Sequence, residues 1–454
     1  MPTGTSLDRA RLGSLMEREQ RAFVNAHPIS EALFERARGS LLAGVPMPWM
    51  VKWPGAFPPF VDVADGAHFS CVDGHDYVDF CLGDTGAMAG HGPLPTVAAV
   101  ERQLRRGITH MLPTEDAAWV GEELQRRFGL PSWQFAITAT DANRFSIRLA
   151  RMISGRPLIA VHDFNYHGTV DETFAWLADD GRVEPRRGSI GPPIDPALTT
   201  RVVPFNDAAA LEAALADGQV AALLIEPALT NVGIVLPEPG YHAAVREITR
   251  RTGTLLIIDE THTICTGPGG ATAAWRLEPD VLVIGKTIGG GIPSAAYGLS
   301  QAVADAVMAG MSLEDADVGG IGGTLAGYAL SLAATRATLG EVLTDAAFDR
   351  MIPLAERWAD GVRRVIDDRR LPWHVTRLGA RAEYHFMAHP PRTGREQWDH
   401  ADFELERLLH LYALNRGVLM TPFHSMALMS PATSEADVDR HSQVFAQAVD
   451  ELLA

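Results

Sequence analysis

Three polar side chains able to bind a ligand or exchange protons each close a short apolar run. Glu226 follows Ala-Leu-Leu-Ile, Asp259 follows Leu-Leu-Ile-Ile, and Lys286 follows Val-Leu-Val-Ile-Gly. The carboxyl ends of strands form the ligand crevice of an open α/β sheet, so the three are expected to converge there. A lysine at a strand end is usually only a solvated terminus. Lys286 differs because Thr287-Ile288-Gly289-Gly290-Gly291 follows it, and those glycines let backbone approach a ligand closely. A fourth element, Thr138-Ala139-Thr140-Asp141-Ala142-Asn143, opens a helix that carries Phe145, Leu149 and Ile153 at helical spacing. The N–H groups and positive dipole end of such a helix suit a phosphate, although an ordinary Thr or Asp cap uses the same residues.

The elements that must position these side chains are legible in the hydropathy pattern. Apolar runs at 133–138, 158–162, 221–226, 254–260 and 281–286 are continuous rather than alternating, as in strands buried on both faces. Helical stretches such as 241–252 fall between some of them, which predicts an α/β fold with a mostly parallel central sheet covered on both sides. Before this region come helix from about 8 to 43, broken near Pro28, an irregular Pro/Trp/Met-rich arm over 44–59, and a small antiparallel meander over 61–80. After about 325 come a long helical region, a Pro/Arg-rich loop at 389–395 and helices near 401–416 and from 434. The resulting division is an N-terminal part over 1–85, a large ligand-binding domain over 86–330 and a smaller α+β domain over 331–454, the first part joining the last.

Length and composition are those of a globular enzyme. With 454 residues, 46% hydrophobic and 21% charged, the chain is too long for one core and shows no sign of disorder. A net charge of −17 opposes non-specific binding to nucleic acid or anionic lipid, so any phosphate must be bound locally. Cys71, Cys81 and Cys265 have no metal-ligand spacing and form an odd set, as expected in a reducing compartment, with the cytoplasm as the default. The first 23 residues lack the continuous apolar stretch of a secretory signal, no run is long enough to span a bilayer, and the 16 histidines are not grouped into a metal site.

Together the motifs resemble those of the class III, fold type I aminotransferases that use pyridoxal phosphate (PLP), the glutamate-1-semialdehyde aminomutases and the β-amino-acid and amine transaminases among them. Thr138–Asn143 is similar to the family's Ser-Gly-Thr-Glu-Ala-Asn loop, and Tyr166-His167-Gly168 to its Tyr-His-Gly. Glu226-Pro227, Asp259-Glu260, Gly285-Lys286 and Gly323-Thr324-Leu325 match further segments in the same order. The resemblance implies that Lys286 forms a Schiff base with the cofactor and then, as a free amine, moves a proton during conversion to pyridoxamine phosphate. It also implies that Asp259 pairs with the ring nitrogen, that Tyr166 stacks on one ring face, and that Thr261 lies against the other. Ala139, Thr140 and, from a neighbouring chain, Thr324 would hold the phosphate, with Glu226 nearby and Asn231 near the cofactor's 3′-oxygen. Ala139, Asp141 and Thr261-His262-Thr263 depart from the family pattern. His262 could face the substrate, but a buried and satisfied histidine is the commoner outcome.

Related enzymes often hold a substrate carboxylate with an arginine, in the arm or near 420–424, and neither segment of this chain contains one. The arm offers Trp49, Met50, Lys52 and Trp53, and the other segment Phe423 and His424. Arg381, near Tyr384 and His385, or Lys52 could supply the contact. The expected activity is a homodimeric transaminase moving an amino group from a hydrophobic or aryl amine or amino acid to a keto acid or aldehyde. An intramolecular aminomutase of the glutamate-1-semialdehyde type and a PLP racemase are the alternatives.

Overall fold

The structure is a computed structural model, and it describes residues 7–191, 194–310 and 320–454. It divides into two compact units. One comprises Leu94–Phe348 and Pro391–Asp399; the other comprises the chain through Pro93, Asp349–Pro390 and His400–Ala454.

The first unit is built on a seven-stranded sheet in the order Ser132–Ala136, Ala295–Leu299, Val281–Ile284, Leu255–Asp259, Val220–Ile225, Leu158–His162, Thr200–Val203. Only Ala295–Leu299 runs antiparallel to its neighbours. The mostly parallel α/β sheet is therefore present as expected, and every residue of the central strands Val220–Ile225 and Val281–Ile284 is buried. Two strands were not evident from hydropathy. Thr200-Arg201-Val202-Val203 is a half-polar edge strand, and Ala295-Ala296-Tyr297-Gly298-Leu299 is rich in small residues of low strand preference. Gly298 belongs there because the Trp133 indole covers it: a Cβ would come within 2.7 Å of that ring.

Helix Ala139–Ser154 packs across this sheet, burying Phe145, Ile147, Leu149 and Ala150 in the core beneath it. A second core on the opposite side gathers Leu211, Leu215, Val245 and Ile248 from the helices Ala208–Leu215 and Tyr241–Thr252. Arg127 ties the helix Glu115–Phe128 to later segments. Its buried guanidinium donates to Glu123 Oε1 (2.7 Å) and to the carbonyls of Pro268, Leu339 and Leu343.

In the second unit the break at Pro28 separates the helices Arg9–Ala26 and Pro28–Ala37, as the proline predicts. The meander Val61–Asp65, His68–Cys71, Asp76–Asp79 gains a fourth strand, Val418–Leu419, parallel to its last one. A separate three-stranded sheet joins His374–Leu378, Arg381–His385 and Met426–Leu428. The final helix, Glu435–Leu453, starts with a capping box between Ser434 and Asp437. Among the described residues no helix is long and apolar enough to cross a membrane.

Candidate active site

The strand Leu255–Asp259 is buried along most of its length and delivers Asp259 at its carboxyl end, 5% exposed. Its Oδ1 accepts from the Thr261 backbone N–H at 3.0 Å; Oδ2 accepts from Asn143 Nδ2 at 2.8 Å and from His167 Nδ1 at 3.0 Å. Burial pushes the Asp259 carboxyl up, but the His167 bond and charge, with the Thr261 and Asn143 bonds, outweigh it and hold the group below the usual carboxylate range. Asp259 is thus held as a buried anion. Glu226, one strand over, behaves oppositely: burial raises its pKa, although its oxygens accept from Tyr166 N (3.0 Å), Thr230 N (3.2 Å) and Thr230 Oγ1 (2.6 Å).

Lys286 follows the buried strand Val281–Ile284 and has φ +52, in the left-handed region that a non-glycine residue seldom occupies. Its Nζ lies 2.9 Å from His262 Nε2, so an imidazole and the amine share a hydrogen bond. Gly285 brings this segment against the start of the helix Ala139–Ser154, where a Cβ would meet Ala139 Cβ at 3.1 Å and Ala139 N at 3.2 Å. Thr138 caps that helix by accepting from Asp141 N at 3.2 Å. Thr140 Oγ1 accepts from Thr169 N at 3.1 Å, beside Gly168, whose φ is +75.

The predicted residues of this unit therefore form linked groups. Tyr166 and Glu226 are joined by a hydrogen bond, Asp259 and Thr261 by another, and Lys286 and His262 by a third. Asn231 is partly exposed in the turn between the bridged residues Leu229 and Val235, and Thr324 is exposed in a turn. The other candidates lie in the second unit. There Lys52 Nζ sits 5.1 Å from the Phe423 ring and 5.9 Å from that of Trp49, and Trp53 packs with the Phe23 and Phe57 cluster. Arg381 is fully buried and donates to Thr85 Oγ1, and His424 lies 3.6 Å from Glu383. Burial lowers the His424 pKa, but Glu383 reverses the shift and holds the imidazole above its usual value.

Sequence reasoning missed the roles of Asn143 and His167 as donors to Asp259. Both were inside quoted motifs, so the signal existed, but only tertiary contact shows which atom each one reaches. Buried His167 Nε2, Asn143 Oδ1 and Thr261 Oγ1 have no hydrogen-bond partner among the described residues. A buried anion, orphaned polar atoms around it, an amine on a glycine-lined turn and a helix N-terminus approached closely by backbone are features that fit a phosphorylated pyridine aldehyde.

Known proteins agree. A glutamate-1-semialdehyde aminomutase from Pseudomonas aeruginosa PAO1, solved as a K286A variant in complex with PMP, superposes with a TM-score of 0.96 at 52% identity, covering 98% of this chain and 99% of that one. The glutamate-1-semialdehyde 2,1-aminomutase of Sorangium cellulosum (strain So ce56) is 33% identical over 423 residues, 91% of this chain and 94% of that protein. An omega-transaminase from Sphaerobacter thermophilus superposes with a TM-score of 0.84 at 28% identity, covering 94% of this chain and 98% of that one. The fold is that of the fold type I PLP-dependent transferases, and the cofactor is pyridoxal phosphate. Residues 51–449 match the aminotransferase class-III family, and with this architecture and this set of polar groups the chain belongs to that family.

Proposed function

We propose that this enzyme is an intramolecular aminomutase, moving an amino group to the adjacent carbon of a short amino acid of the glutamate-1-semialdehyde kind. The observation that carries this reading is the 52% identity over nearly the whole chain to a protein bearing that name. It displaces intermolecular transamination as the leading reading. The transaminase remains a second one, favoured by the absence of arginine from the arm at residues 45–53.

Bound at this site, pyridoxal phosphate supplies an electron-withdrawing ring that makes a proton on the amine-bearing carbon acidic. Asp259, held as an anion by His167 and Asn143, would pair with the ring nitrogen and favour its protonated form. Tyr166 and Thr261 would hold the ring, Ala139, Thr140 and the N-terminus of the helix Ala139–Ser154 would hold the phosphate, and Asn231 would contribute at the ring's oxygen substituent. Lys286 Nζ takes the proton from the substrate carbon and returns it elsewhere, while His262, bonded to that same nitrogen, keeps the amine aimed. Where the proton returns separates mutation and transamination from racemisation. The assembly proposed is a homodimer, with Thr324 of the partner subunit completing the phosphate site.

The test is to incubate yellow holoenzyme with glutamate 1-semialdehyde and no amino acceptor. An aminomutase turns over catalytically and yields an isomer of unchanged mass. Release of free keto or aldehyde product in one equivalent, with activity restored only by an added keto acid, establishes transamination instead.

A further inference from the structure

Arg186 was not among the expected site residues, yet it lies beside them. Its guanidinium carbon is 5.4 Å from the centre of the Tyr166 ring and 5.5 Å from that of Trp176, both within cation–π distance. Nη1 donates to the Asn165 carbonyl at 3.2 Å. Asn165, Tyr166 and His167 are consecutive, so one short segment carries the acceptor for Arg186, the ring beneath it and the donor to Asp259.

The arginine is also electrically unmatched. Arg182 pairs with Asp180 and Arg201 with Asp217, whereas Arg186 makes no ion pair among the described residues. The Glu226 carboxylate acts on it only through its field, since its oxygens are engaged by Tyr166 and Thr230. Arg186 is half-buried, and burial, the largest influence on it, lowers its pKa against the opposing fields of Tyr166 and Glu226. A planar fork held against aromatic rings, with one N–H engaged and no carboxylate in place, is pre-organised to accept one in two hydrogen bonds.

We propose that Arg186 binds the carboxylate of the substrate, the task for which the arm at 45–53 provides no arginine. The assignment rests on the reading that the substrate is an amino acid.

The test uses two amines of nearly equal shape, 4-aminobutyrate and butylamine, which differ by a carboxylate in place of a methyl group. Bleaching of the yellow cofactor band in the holoenzyme reads the rate with each. The wild type is expected to favour the acid; in R186A the acid-to-amine ratio of kcat/KM falls at least about tenfold, and R186K, which keeps the charge but loses the fork, recovers part of it. A ratio unchanged in R186A overturns the assignment, as does a wild type with no preference for the acid. Equal loss with both amines overturns it too and makes Arg186 a positioning residue for Tyr166. If R186A does not fold, R186K decides: a ratio equal to that of the wild type refutes the role. Failure of the aminomutase reading appears elsewhere, as a requirement for an external acceptor, and leaves this ratio unaffected.

Discussion

Asp259 shows how a buried residue acquires a usable charge. A carboxyl 5% exposed is pushed toward neutrality by burial, and here His167 and Asn143, both fully or nearly fully buried, reverse that push through bonds to a single oxygen. Asn143→Leu removes one of them and is expected to raise the Asp259 pKa, since a bond that favours the charged form is lost. If Asp259 acts as proposed, activity follows its anion, and the acid limb of kcat/KM against pH moves upward with that pKa while the alkaline limb stays in place. For stability the sign follows from the depressed native value: the contribution of Asp259 is present above its unfolded pKa and is lost as pH falls through its folded one. Thermal melts of the apoenzyme across that range check this, and an unshifted acid limb in the variant removes Asp259 as the controlling group.

At the scale of elements, the decisive feature is how closely backbone segments approach around the helix Ala139–Ser154. Gly168 has φ +75, and a Cβ on it would stand 2.0 Å from Thr140 Oγ1. Gly129, at φ +78, has open space in the same position. Gly129→Ala therefore carries only the left-handed backbone cost, about 1 kcal/mol, while Gly168→Ala adds overpacking worth about 1–3 kcal/mol. Gly168→Ala should also displace Thr140 and weaken cofactor retention, whereas Gly129→Ala should not. Denaturant melts and cofactor titration by absorbance separate the two effects, and equal behaviour of both variants would contradict the proposed place of Thr140 in the phosphate site.

For the whole molecule, several large apolar side chains on neighbouring stretches of sequence, and one beside Thr324, stand exposed. Leu94 and Val97 on the helix Leu94–Leu104, then Leu104, Ile108, Met111 and Leu112, and Leu325 next to Thr324, are all exposed, Leu94, Met111 and Leu112 by 74% or more. A second copy of the chain is expected to cover them, because the proposed phosphate site calls on Thr324 of the partner subunit. Sedimentation of the wild type should give twice 49.0 kDa. The double substitution Met111→Lys with Leu112→Lys should yield monomer with little activity and weakened cofactor binding. A fully active monomer would defeat both the dimer and the role of Thr324.

How much of this was legible beforehand depended on the range of the interaction involved. The α/β class, the central buried strands, the break at Pro28 and the strand-end positions of Glu226, Asp259 and Lys286 follow from hydropathy and local chain geometry, which act over a few residues and are written into the order of side chains. The edge strand Thr200–Val203 and the small-residue strand Ala295–Leu299 escaped because pairing with neighbours, not their own composition, makes them strands. Contacts between distant residues were decided only by the tertiary structure: the 2.9 Å bond from His262 to Lys286, the two donors on Asp259, and Arg186 against Tyr166. Hydropathy marks which residues are buried, but what a buried polar group does is set by the one neighbour that reaches it, and that neighbour is chosen by the packing of the whole sheet.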